Sequence, residues 1–252
     1  MDFSVCRKHI PNSITCCNLI SGCIAISFAV KGDLSLALLF IILGAVFDFF
    51  DGMVARLLGV SSPIGKELDS LADVVSFGVA PSSIIFYELQ VVEYPSVLNN
   101  SLITSLVPYL AFLVAALSAV RLAKFNLDTR QTTSFIGLPT PANALCWGSL
   151  IVGFGDYLEQ YTWFMPALLV GVILSSWILV AEIPMFALKF KHWGYKGNEL
   201  KYCFVLFSAA VLIASIVLGI ATGNPKLCYS GFCLIIVVYV LLSIITDTKK
   251  VS

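Results

Sequence analysis

Eight apolar runs of about 20 residues set the possible folds of this chain. Each run is long enough to cross ~30 Å of hydrocarbon as a helix. Of the 252 residues, 59% are hydrophobic and 12% are charged, which is typical of polytopic membrane proteins. The loops are too short to form a separate soluble domain. We therefore predict one all-α membrane helix bundle over residues 1–252, with about eight transmembrane helices at 11–30, 34–56, 66–88, 101–122, 138–155, 162–182, 201–221 and 226–246.

The distribution of lysine and arginine predicts the orientation of this bundle. With the N-terminus inside, eight spans place thirteen of the 15 basic residues on the cytoplasmic side, in agreement with the positive-inside rule. Only Lys31 and Lys226 fall outside. We predict an integral protein of the bacterial inner membrane with both termini cytoplasmic. A net charge of +0 gives no basic surface for nucleic acid, so no nucleic-acid partner is expected.

Four aspartates occupy the cytoplasmic ends of the second and third runs. Asp48 and Asp51 share one side of the second helix with Gly52, Ala55 and Arg56, within an arc of about 140°. On the next helix, Gly65, Asp69 and Asp73 are spaced four apart and share a narrower face. Because adjacent spans are antiparallel, the two acidic faces are expected to meet, with a site that opens to the cytoplasm.

Divalent cations explain how these four carboxylates are tolerated. At bilayer depth each charge costs on the order of 2–3 kcal/mol, and the nearby Arg56 and Lys66 are too few to neutralise four. Oxygen ligands favour Mg²⁺ or Mn²⁺, and two ions about 4 Å apart clamp a phosphate for phosphoryl transfer. The sequence therefore predicts one or two divalent ions, with two favoured, held by Asp48, Asp51, Asp69 and Asp73.

Two alternatives remain open, one for the function of the acidic residues and one for the role of the small residues beside them. A cation transporter would also place acidic residues within the membrane. Transport, however, does not require the small and basic residues interleaved with them. Gly52, Ala55 and Gly65 would let the backbone approach a base and a diphosphate, although close helix packing explains any one of them equally well.

The acidic pattern resembles the signature of the CDP-alcohol phosphotransferase family. That signature, D-x-x-D-G-x-x-A-R, eight residues, then G-x-x-x-D-x-x-x-D, is complete from Asp48 to Asp73. Four further stretches resemble the branch of the family whose acceptor is serine: IPNSITCCNLISG at 10–22, LDSLADVVSFGVAPS at 68–82, SAVRLAKFN at 118–126 and FIGLPTPANA at 135–144. The resemblance implies a six-helix core, often dimeric, with two added helices in this branch.

The resemblance also implies roles for the aspartates. Asp48, Asp51 and Asp69 would hold the metals, and Asp73 would complete the site and act as general base. CDP-diacylglycerol would place its diphosphate on the metals and its cytidine against the small residues. The hydroxyl of L-serine would then attack phosphorus and displace CMP. Arg56 would pair with a phosphate oxygen or an aspartate.

Residues outside the acidic pattern are candidates for the rest of the substrate pocket. Arg121 and Lys124 close the fourth span on the side of the aspartates, and we assign them to the serine carboxylate, with a snorkelling role as the alternative for Lys124. Asn12 and Thr15 are assigned to the nucleotide pocket and Asn18 to the acceptor; hydrogen bonds to neighbouring helices are the alternative. A glycerol phosphate or inositol phosphate acceptor would call for more basic residues there.

Overall fold

The protein is a bundle of α-helices that follow the predicted apolar runs. The computed structural model describes residues 3–128, 135–185 and 198–251. Arg130, Lys189, Lys191 and Lys196, which entered the orientation argument, lie outside these ranges. The helices are α1 (Phe3–Val30), α2 (Leu34–Leu58), α3 (Pro63–Asp73), α4 (Ala80–Val91), α5 (Ser101–Leu106), α6 (Phe112–Leu127), α7 (Thr140–Leu158), α8 (Phe164–Val180), α9 (Glu199–Thr222) and α10 (Ser230–Val251).

Six segments are long and apolar enough to cross a membrane, within the described residues. They are His9–Val30, Leu34–Leu58, Pro63–Val91, Ser101–Leu127, Glu199–Thr222 and Pro225–Thr246. The other two predicted spans are also helical, as α7 and α8, but α8 has only 17 residues and rises ~26 Å. An all-α polytopic bundle is thus confirmed, with six of the eight predicted spans reaching full transmembrane length and apolarity.

The third span is not one continuous α-helix. A π-helical segment, Val74–Val79, follows α3 directly and leads into α4. A π segment widens the backbone turn, so side chains beyond Asp73 do not keep the regular 100° spacing that the sequence suggested. The fourth span is interrupted in a similar way by a 3₁₀ turn, Val107–Ala111, around Pro108.

Two very short strands connect loops at the cytoplasmic end predicted for the bundle. β1 (Phe135–Ile136) and β2 (Pro184–Met185) pair in antiparallel fashion. They place the segment before α7 against the segment after α8, and Leu138 and Met185 are buried beside Leu179. The sequence did not indicate these strands, because two residues are too few to show an alternating pattern.

The core lies between α1, α2, α4, α7 and α8. Small and aliphatic side chains dominate it, including Ala25, Ala37, Ile41, Phe77 and Ile84. Many large apolar side chains remain exposed on the outside of the bundle, as expected where hydrocarbon replaces water. α1 packs along α2 and also contacts α3 and the π segment, and it thereby reaches the helices that carry all four aspartates.

Candidate active site

A short turn brings the two acidic helices together. α2 ends at Leu58 and is capped by Gly59, which adopts a left-handed conformation (φ 62°). α3 begins at Pro63 with Ser62 as its N-cap. The Ser62 hydroxyl accepts a hydrogen bond of 2.9 Å from the backbone N–H of Gly65. The connection therefore has only four residues, fewer than the nine between the predicted spans, because both helices extend further than the apolar pattern does.

The aspartates converge as predicted. Asp48, Asp51 and Asp69 each offer a carboxylate oxygen, and these oxygens lie within 4.8 Å of one another. Asp51 is only 6% exposed. Asp73 lies next to this triad, within hydrogen-bonding reach of Asp48, and is 8% exposed. Carboxylate oxygens at such separations in a poorly hydrated site fit a hard divalent cation, which would remove their mutual repulsion.

Helix α1 holds two of the aspartates from behind. Thr15 donates a hydrogen bond of 2.6 Å to Asp51 Oδ2, and Asn18 donates one of 3.2 Å to Asp73 Oδ1. Asn18 is completely buried, and its backbone carbonyl accepts a hydrogen bond of 2.9 Å from Ser76 in the π segment. Asn18, which the sequence assigned to the acceptor pocket, is thus buried and hydrogen-bonded to Asp73 on a neighbouring helix. Such a bond was the alternative given for it.

An open pocket of about 260 Å³ adjoins the triad. Asp51 and Asp69 line one side of it, and Lys66 lies at its edge. Five of the residues assigned to the nucleotide also line this pocket: Asn12, Thr15, Gly52, Ala55 and Gly65. The sixth, Arg56, does not line it and is exposed beside Gly52.

Gly65 is the glycine that the pocket most needs. A Cβ there would lie 3.0 Å from Ser62 Oγ and 3.1 Å from Asn12 Oδ1, closer than ordinary van der Waals contact. A Cβ on Gly52, in contrast, would meet only Arg56 Nη1 among the residues in the described ranges, at 3.5 Å. The two glycines therefore differ. Gly65 allows α1 to pack closely, whereas Gly52 leaves space in the pocket that a side chain would occupy.

Arg121 lies behind the aspartates on α6. It is 7% exposed, and its Nη1 donates to Thr140 Oγ1 at 3.5 Å. Its guanidinium interacts electrostatically with Asp73 and Tyr239. The Nε atom has no hydrogen-bond partner among the described residues. Lys124, one turn further along α6, is exposed.

Two of these neighbours were missed by the sequence reasoning. Thr140 belongs to the FIGLPTPANA stretch, which resembles the family, so the sequence did carry a signal that could have marked it as a site residue. Tyr239 lies on α10, in the part of the chain where no motif was recognised. Helix α10 packs against α7 and β2, which explains how the last helix reaches the centre of the bundle.

Two acidic helix faces meet inside this membrane bundle, beside a pocket lined by small residues. This arrangement fits the class of membrane enzymes that bind a phosphate ester through a divalent metal. The family model described as CDP-alcohol phosphatidyltransferase matches residues 8–182. The chain therefore belongs to the CDP-alcohol phosphatidyltransferase family, a family of transferases of phospholipid synthesis. Membership of this family excludes the transporter alternative.

Three relatives illustrate the similarity. A CDP-diacylglycerol–serine O-phosphatidyltransferase of Bacillus subtilis is 33% identical over 196 residues, which cover 76% of this chain and 95% of the relative. The protein of the same name from Methanocaldococcus jannaschii is 36% identical over 185 residues, covering 72% and 79%. An archaetidylserine synthase of Methanothermobacter thermautotrophicus is 32% identical over 169 residues, covering 66% and 67%.

Proposed function

We propose that this protein transfers the phosphatidyl group of CDP-diacylglycerol to the hydroxyl of L-serine, giving phosphatidylserine and CMP. The observation that carries the proposal is the convergence of Asp48, Asp51 and Asp69 within 4.8 Å, with Asp73 beside them. The names of the relatives support serine as the acceptor. All three names include serine, whereas the lipid group is phosphatidyl in two of them and archaetidyl in the third.

The four aspartates are the proposed ligands of Mg²⁺ or Mn²⁺, with two ions in the complete site. When bound, the ions would neutralise the diphosphate of the donor and lower the pKa of the attacking alcohol. Thr15 and Asn18 orient Asp51 and Asp73, as hydrogen-bond donors behind metal ligands do in other proteins.

The donor lies in the pocket beside the triad. Gly52, Ala55 and Gly65 allow the cytidine to approach the helix backbones, and Asn12 supplies polar atoms at the wall. Arg56, exposed at the mouth, pairs with a phosphate oxygen. The acyl chains extend from this mouth into the surrounding lipid.

Asp73 acts as the general base. It takes the proton of the serine hydroxyl; the hydroxyl oxygen forms a bond to the phosphorus that carries the diacylglycerol, and the bond from that phosphorus to the CMP oxygen breaks. CMP leaves with the electron pair of that bond. Position makes Asp73 effective, because Asn18 holds one of its carboxylate oxygens and so keeps the carboxylate beside the triad, where the serine hydroxyl would bind.

Arg121 is the proposed partner of the serine carboxylate. Its buried guanidinium lies close to Asp73, and its Nε has no hydrogen-bond partner in the described part of the chain. It therefore offers a cation where the amino acid has to bind. Lys124 is exposed and contributes at most from the entrance. Glycerol 3-phosphate and inositol phosphate, the alternative acceptors, would bring a phosphate that needs further cations beside Arg121.

The proposed enzyme faces the cytoplasm, where CDP-lipid and serine are expected to meet. The asymmetry of lysine and arginine supports this orientation in a bacterial inner membrane. A homodimer is also proposed, on the resemblance to the family alone.

Release of CMP by the purified protein tests the proposal. The protein is incubated with CDP-diacylglycerol and Mg²⁺ or Mn²⁺, with serine, glycerol 3-phosphate and inositol 1-phosphate in parallel. We expect release with serine only. Release with another alcohol and none with serine would reassign the acceptor, and no release with any alcohol would refute the enzymatic proposal.

A further inference from the structure

A second polar pocket lies at the other end of the bundle from the aspartates. It has a volume of about 570 Å³ and is formed by the turn between α1 and α2, the ends of α4 and α7, and the start of the 3₁₀ turn before α10. Asp33 at this end is separated from Asp48 by ~22 Å of helix. Because the ends of these membrane-spanning elements line one pocket, we infer that the pocket lies at the depth of lipid headgroups.

Glu88 forms the inner wall of this pocket. Its side chain is 1% exposed and interacts with the side chain of Glu159, and no other described residue donates a hydrogen bond to its Oε1 atom. A Cβ on Gly155 would lie 3.4 Å from Glu88 Oε1 and 3.5 Å from Glu159 Oε1. The carboxylates of Glu88 and Glu159 thus lie on either side of the space that the missing side chain of Gly155 leaves open. Two carboxylates beside each other are unfavourable unless a cation or a proton lies between them.

The charges of the pocket favour a cationic group. Its two lysines face four acidic residues, Asp33, Glu88, Asp156 and Glu159. Lys226 Nζ lies 2.8 Å from both carboxylate oxygens of Asp156, so these two side chains form an ion pair. Only Glu88 and Glu159 then remain beside Gly155. Two carboxylates suit a primary ammonium group, which has three N–H donors, better than a divalent metal that needs six or more oxygens.

An apolar groove continues from this pocket toward the middle of the membrane. It also measures about 570 Å³ and shares Ser35 and Lys226 with the polar pocket. Its remaining wall is mainly aliphatic and aromatic, from Ile42, Leu212, Ile216 and Phe232. Lys226 therefore stands between an acidic compartment and an apolar one.

We propose that this end of the bundle binds a phospholipid whose headgroup ends in a primary ammonium group and carries no carboxylate. The ammonium donates to Glu88 and Glu159, and one acyl chain fills the groove. The phosphate accepts the third N–H of Lys226, whose other two donors point to Asp156. The order of ammonium, phosphate and chain along such a lipid matches the order of acidic, basic and apolar residues along the two compartments. A headgroup with a carboxylate would be repelled by Glu88.

Native mass spectrometry of the detergent-purified full chain tests this site. Phosphatidylethanolamine, phosphatidylcholine, phosphatidylglycerol and water-soluble phosphoethanolamine are titrated separately. We expect phosphatidylethanolamine to bind about tenfold more tightly than the other two lipids, the effect of one charge-assisted hydrogen bond. Phosphoethanolamine should bind weakly, since it has no chain for the groove. Equal binding of the three lipids, or binding of phosphoethanolamine as tight as that of the lipid, would overturn the proposal.

Two pairs of variants locate the bound lipid. Glu159→Gln, at the half-buried side of the pocket, should remove the preference for phosphatidylethanolamine, whereas Glu93→Gln, an exposed acidic residue at the same end, should retain it. Ile216→Trp should fill the groove and weaken binding about tenfold, while Leu206→Trp, exposed elsewhere on α9, should not. Unchanged lipid binding in both Glu159→Gln and Ile216→Trp would contradict the assignment. Because these residues are partly exposed, the variants avoid the folding risk of substituting Glu88.

Discussion

At the scale of single residues, the proposed reaction depends on Asp73 as its general base. Asp73→Asn keeps the size of the side chain and can still accept the hydrogen bond of Asn18 through its amide oxygen. It loses the ability to take a proton, so turnover should fall by at least about a hundredfold while CDP-diacylglycerol still binds. Parallel measurements of CMP release and of donor binding check this. A variant with full activity would remove Asp73 from the role of base.

Thr15 offers a second test at the same scale. Its hydroxyl donates to Asp51 at 2.6 Å, and Thr15→Val has nearly the same shape without the donor. We expect the Mg²⁺ concentration for half-maximal activity to rise about tenfold, because donors behind metal ligands orient them. Thr15→Ser retains the hydroxyl and is the matched control. If Thr15→Val and Thr15→Ser required the same Mg²⁺ concentration, the hydrogen bond would have no part in the metal site.

At the scale of helices, the contact between α1 and the π segment positions Asn18 against Asp73. A Cβ on Gly22 would lie 2.8 Å from the Ser76 Cα and 2.9 Å from its backbone nitrogen, so these two backbones are in close contact. Gly22→Ala should separate them and lower the free energy of unfolding by about 1–3 kcal/mol. Thermal unfolding in detergent measures the loss. Cys23→Ala, at the exposed neighbouring position, is the control and should unfold near the wild-type temperature.

The same helices show what the sequence could and could not predict. The four aspartates were predictable because regular helical spacing places Asp48 with Asp51 and Asp69 with Asp73 on one side of each helix. The π segment that begins at Val74 was not, since a change in hydrogen bonding from i−4 to i−5 leaves no mark in the apolar pattern. The partners Thr15 and Asn18 were selected by their spacing, but only the packing of α1 assigns each to its aspartate.

At the scale of the whole molecule, the bundle separates two polar ends. The aspartates lie at one end, and Lys31 and Lys226, the two basic residues predicted to be outside, both line the pocket at the other. The structure thus brings Lys31 and Lys226 into one pocket, whereas the sequence predicted only that both lie on the same side of the membrane. The expected topology follows from the preference of lysine and arginine for the cytoplasm.

Labelling of single introduced thiols tests this topology. Glu67→Cys lies next to the aspartates and Glu93→Cys at the opposite end, and both positions are exposed. In intact cells, a membrane-impermeant maleimide should label Glu93→Cys above the background of the unmodified chain, and Glu67→Cys only after permeabilisation. The reverse pattern would place the active site outside and contradict the proposed orientation.

The central claim is that Asp48, Asp51 and Asp69 bind divalent metal for transfer of a phosphate ester. Anomalous scattering from crystals of active protein soaked in Mn²⁺ measures this directly. We expect at least one anomalous peak between the carboxylates of the triad, and its loss together with activity in Asp69→Asn. An active preparation without metal at this position, or an Asp69→Asn protein that keeps both its peak and its activity, would contradict the account.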